Sequence, residues 1–137
     1  MMKFAGNAVW IVLGGLGLAA CNSTGSSVPP PGAPEMQVAF RWCSGSPEFA
    51  IGSIPAGTKS LDLRMVDHQA PAYRHGGGTV PHDGKNSAKI PCGALGGTYV
   101  GPSPPPPQIH DYEWTVTAHD ASGKALAVGH ATRKFPE

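Results

Sequence analysis

The 137-residue sequence predicts an all-β fold, a small antiparallel β-sandwich. Three observations carry that expectation. Helix periodicity is nearly absent. Five stretches alternate apolar and polar residues with a period of two. Turn-forming clusters such as "PAGT" and "DASG", together with runs of glycine, separate them.

Residues 36–42, "MQVAFRW", place Val38, Phe40 and Trp42 on one face. Residues 48–53, "EFAIGS", do the same for Phe49 and Ile51. In "SLDLRMVD" (60–67), Leu61, Leu63 and Met65 point inward, with Asp62 and Arg64 outward. In "HDYEWTVTAHD" (110–120), Tyr112, Trp114, Val116 and Ala118 form the inward face against Asp111, Glu113, Thr115 and Thr117. A last strand, "ALAVGHATRKF" (125–135), puts Leu126 and Val128 on one face.

The domain occupies residues 35–137. Residues 1–20 read as a secretory signal peptide, with a positive start at Lys3, an apolar centre and small residues before Cys21. The uninterrupted apolar part, 8–20, is short for a bilayer span, which takes about 20 residues. "LAAC" resembles the lipobox of bacterial lipoproteins. That resemblance implies cleavage before Cys21, lipid attachment to it and anchorage in a membrane. Asn22 in place of Asp implies sorting to the outer membrane, with the domain facing the periplasm. Residues 21–34, rich in Ser, Gly and Pro, form a tether that cannot bury a core.

"GLGLAA" (15–20) fits a dinucleotide-binding pattern but follows no strand and lies in the segment to be removed. No cofactor is expected. Removing Lys3 with the signal takes the basic count from 10 to nine, equal to the nine acidic residues. A neutral chain has no basic surface to draw nucleic acid. With Cys21 lipidated, Cys43 and Cys92 remain, and an oxidising compartment favours their pairing as a disulfide. Two buried free thiols are the alternative.

Parity points to a site. Asp67 shares the parity of Leu61, Leu63 and Met65, and His110 shares that of Tyr112 and Trp114. An inward carboxylate and an inward imidazole are costly unless paired or set in a pocket. Just before His110, residues 102–107 hold five prolines in six positions. Such a segment keeps an extended, low-entropy shape without sheet partners, as a rigid pocket wall would. A proline-rich ligand for another domain is the other reading.

Three motifs in order resemble those of the phosphatidylethanolamine-binding protein family, which includes bacterial Raf-kinase-inhibitor-like proteins. "WCSGSPEFAI" is similar to the family's "T-C-x-G-x-x-x-S-P-x-L". "PAGTKSLDLRMVDHQAP" is similar to its "P-x-G-T" strand leading into "D-P-D-A-P", and "GPSPPPPQIHDYEW" to its "G-P-x-P-P" and "H-x-Y". The resemblance implies a β-sandwich with a small anion pocket at one end. It assigns ligand contacts to Asp67, Gly101, Pro102, His110 and Tyr112, with His75 as a second pocket histidine. The departures are His68 and Gln69 for Pro and Asp, Ser103 where bacterial members often carry Cys, and "GGG" after His75 where the family has an apolar strand. The short stretch after the last strand leaves no room for the family's C-terminal helical part, so a truncated fold with a more open pocket is expected.

Tyr112, His110 and His75 supply donors for a phosphoryl group or another small anion, and Asp67 can orient and charge one imidazole. A binding module rather than an enzyme is therefore expected. A second class is a protein-interaction or inhibitor module with a vestigial pocket. A third is a metal-binding or hydrolytic protein. For that class the sequence has Ser103 seven residues before His110, and His82 with Asp83, but no nucleophile elbow, no H-E-x-x-H and no C-x-x-C. His68, His119 and His130 read as sheet-surface residues.

Overall fold

A computed structural model describes residues 27–137. The expected signal peptide, Cys21 and the first part of the expected tether lie outside the described residues. The alternating stretches form antiparallel strands, and no helix occurs among the described residues. The strands are β1 (Gln37–Arg41), β2 (Glu48–Gly52), β3 (Ser60–Asp67), β4 (Gly77–Pro81), β5 (Ala88–Ile90), β6 (His110–His119) and β7 (Ala125–Phe135). They build a three-stranded sheet, ordered β1-β2-β5, and a four-stranded sheet, ordered β4-β3-β6-β7.

The apolar faces of the two sheets meet. Phe40, Phe49 and Ile51 come from one, and Leu61, Leu63, Met65, Trp114 and Val116 from the other. Phe49 meets Trp114 edge-to-face, with ring centroids 5.0 Å apart. Each such side chain contributes roughly 1.5–3 kcal/mol of burial. Hydrogen bonds close one side of the sandwich, between β1 and β7. Trp42 Nε1 donates to the Lys134 carbonyl (2.8 Å), and Arg133 Nη1 donates to the Phe40 carbonyl (3.2 Å). On the other side, β4 and β5 are the outer strands of their sheets.

Cys43 and Cys92 are joined as a disulfide, with Cα atoms 6.1 Å apart. Free thiols are thereby excluded at this pair. The bridge ties the segment after β1 to the segment after β5 across 49 residues, worth about 4 kcal/mol in the chain-entropy model.

Two elements differ from the sequence expectation. Of residues 76–78, a glycine run of the kind expected to separate strands, Gly77 and Gly78 open β4, which pairs with β3. The glycines allow this because the backbone passes too close for a side chain. A Cβ on Gly77 would stand 1.8 Å from the Leu63 carbonyl oxygen, and one on Gly76 would stand 2.0 Å from that of Thr98. In β7, the buried residues are Ala125, Ala127 and Gly129, while Leu126 and Val128 are only half-buried on the opposite face. Small residues are needed there because the chain before β1 crosses beneath. A Cβ on Gly129 would meet the Met36 carbonyl oxygen at 2.4 Å.

Gly77→Ala should therefore destabilise the domain by about 1–3 kcal/mol, the usual penalty of overpacking. Denaturant unfolding of the two proteins measures it, and equal midpoints would contradict this close approach.

Candidate functional site

Asp67 ends β3 opposite Tyr112 of β6, and its parity carries the carboxylate inward, where the residue is 3% exposed. The chain then turns sharply. Asp67 Oδ1 accepts the backbone N–H groups of Gln69 (2.8 Å) and Ala70 (3.1 Å), as an Asx turn does. Oδ2 accepts from Nδ1 of His110 at 2.6 Å. His110 opens β6 and is itself buried. Its second ring nitrogen, Nε2, lies 2.8 Å from the Gln108 side-chain oxygen.

These contacts set the electrostatics. Burial alone would raise the Asp67 carboxyl. Hydrogen bonds from His110, the Gln69 N–H, Tyr112 and the Ala70 N–H outweigh it and hold the group below the ordinary aspartate range. Tyr112 moves the other way. Burial, then its hydrogen bond to the charged Asp67, push the phenol up to about 12, against a small opposing effect of the Ser103 N–H.

His75 lies outside the strands and is fixed by a reciprocal pair of bonds. Its Nδ1 donates to the Val100 carbonyl (2.9 Å), and the Val100 N–H donates to the His75 carbonyl (2.8 Å). Its ring stands edge-on to Tyr112 at 5.3 Å and lies 4.6 Å from Tyr73. With Nδ1 donating, Nε2 is left to accept in the neutral ring or to donate in the charged one.

A pocket of about 330 Å³ opens between these groups. Asp67, His75, His110 and Tyr112 all line it, with Tyr73, Ser103, Pro104 and Pro105. The proline run thus forms one wall. Gly101 and Pro102, also expected here, do not join the pocket. They line a neighbouring depression with Trp42, Tyr99 and Phe135, because the extended chain turns the start of the run toward the β1 side. Tyr73 and Gln108 were missed. Neither lies in a strand, so alternation carries no signal for them.

The other histidines have separate duties. Nε2 of His82 bonds the Lys85 carbonyl at 2.6 Å. His68 and His130 sit on the outer sheet face, 3.2 and 3.3 Å from the two oxygens of Glu113. Among the described residues no group of three His, Cys, Asp or Glu side chains is placed to hold a metal ion. Ser103 shares the pocket with His110, yet the nitrogen a Ser–His pair would use faces Gln108 instead. A larger groove of about 510 Å³ runs between β4 and β5, but its charged Lys85 and Asp83 are exposed and paired with each other at 2.9 Å. The smaller pocket is lined by the buried Asp67, His75, His110 and Tyr112. No family model, no curated protein and no solved structure matches this chain.

The depressed Asp67 carboxyl links stability to pH. A lowered folded value means that the stabilisation is fully present above the unfolded value, about 3.9, and is lost as pH falls through the folded one. Asp67→Asn should thus be less stable than the native chain at pH 5–7, and the gap should close below about pH 3.9. Unfolding midpoints measured across that range test this, and a gap independent of pH would contradict it.

Proposed function

We propose that this chain is a binding module whose pocket takes a phosphoryl group or another small oxyanion, as the resemblance to phosphatidylethanolamine-binding proteins implies. The observation that carries this reading is the buried Asp67–His110 pair, set beside the second, independently held imidazole of His75 in one pocket. An oxyanion needs donors, and the candidates are His75 Nε2, the Ser103 hydroxyl and, once its Gln108 contact yields, His110 Nε2. The Asp67 charge repels such a ligand little, because four donors already engage it. The proline wall adds rigidity, so less ordering accompanies binding.

A second reading, a protein-interaction module, is favoured by one observation. The apolar side chains of Tyr73, Val100 and Ile109 are 55%, 44% and 56% exposed, and each lies within two residues in sequence of a pocket histidine or of Gly101. Such exposure suits a partner surface.

Phosphate titration of the folded chain, followed by calorimetry, separates the two. Binding is expected at millimolar ligand or below, and His75→Ala should weaken it by about 1.5–3 kcal/mol, the scale of a hydrogen bond to a charged group. Absence of binding by the folded protein would leave the interaction module standing.

We further propose that the chain is a bacterial lipoprotein anchored through Cys21, on the strength of "LAAC" and the Ser/Gly/Pro tether. Its place is then the outer membrane, with the domain facing the periplasm. Cys21→Ser should abolish acyl labelling and shift the protein from the membrane to the soluble or unprocessed fraction. Identical fractionation and no label in either protein would refute the anchor.

A further inference from the structure

His110 is the most constrained group in the pocket, and both of its nitrogens are engaged. A carboxylate only accepts, so Nδ1 carries a proton toward Asp67. The partner of Nε2 is an amide oxygen, again an acceptor, so this nitrogen also donates. With the amide in this orientation, both ring nitrogens face acceptors. Half a turn of the Gln108 amide would present its NH₂ instead and suit the singly protonated ring. Gln108 can thus cap His110 in either state.

The cap belongs to the surface rather than to the core. Gln108 is exposed, and its backbone N–H closes a turn onto the Pro105 carbonyl at 2.9 Å. Pro105 itself lines the pocket. The side chain consequently stands beside the proline wall, with its oxygen on Nε2, the one His110 nitrogen that Asp67 leaves free for a ligand.

We propose that Gln108 is an internal competitor for the pocket. Its amide oxygen occupies His110 Nε2 in the empty protein, and a bound oxyanion takes that place while Gln108 swings out to solvent. The proposal rests on the oxyanion reading above and adds to it the residue that sets affinity. A neutral amide oxygen is a weaker acceptor than a charged phosphate oxygen, so the ligand can win. A carboxylate at the same position would not yield so readily.

Inorganic phosphate binding to the full-length chain and three variants tests this, with ¹⁵N shifts of the His110 ring read in parallel. Gln108→Ala should bind phosphate roughly threefold to tenfold more tightly, the worth of one ordinary hydrogen bond. Gln108→Asn, too short to reach, should do the same, which separates loss of the amide contact from any disturbance of the turn. Gln108→Glu should bind at least tenfold more weakly and hold the His110 ring doubly protonated to higher pH. Should Ala and Asn variants bind at native strength or more weakly, while His75→Ala still weakens binding, the competitor is wrong and the pocket stands. Should native protein and all variants fail to bind phosphate, both the pocket and its competitor fall.

Discussion

A carboxylate that is 3% exposed must find its donors inside the protein, and the search for them organises this domain. Asp67 draws two backbone N–H groups from its own turn, one imidazole N–H from the start of β6 and the phenol of Tyr112. Those donors come from the turn that follows β3 and from the start of β6, which pairs with it. A one-residue slip of that pair would bring Leu61, Leu63 and Met65 to the surface and send Asp67 to solvent. The polar contact and the apolar pattern therefore specify the same register.

The same interaction positions the proposed pocket. The β3–β6 pairing ends with Asp67 opposite Tyr112, at the edge of the apolar core. Beyond that point the walls are made by chain that carries no sheet. The prolines have no N–H to leave unsatisfied, so they can line a pocket without hydrogen-bonding partners. On the opposite wall, Gly76 and Gly77 bring the backbone into contact with Thr98 and Leu63 and thereby hold His75 against Tyr112. The result is a small rigid recess in which the polar groups are oriented before anything enters it.

Outside that recess, charge does less. Glu113 lies between His68 and His130, and Lys134 lies 3.2 Å from Asp111, all on the outer face of the four-stranded sheet. These side chains are a third or more exposed, apart from Asp111 at 32%. Pairs of this kind contribute little to stability, typically 0–1 kcal/mol, and are screened by salt. The chain balances nine acidic against nine basic residues once Lys3 is set aside, so steering by the whole field is weak as well.

The sequence by itself determined the all-β class, the inward faces of β1, β2, β3 and β6, and the inward placement of Asp67 and His110. Period-two alternation is a local property, and a buried polar residue on such a face is visible as a break in it. Only the tertiary structure decided the rest. Strands β4 and β5 were not legible because their short runs, "GGTVP" and "AKI", carry little alternation of their own and are strands only through their partners. Gly129 of β7 must stay without a side chain because Met36 and Val38 fill the space beneath it, a contact between distant parts of the chain. Gly101 and Pro102 leave the pocket, and Gln108 enters the His110 contact, because the path of the proline run depends on what it packs against. Alternation tells which way a side chain points along its own strand. It does not tell how closely another segment will pass.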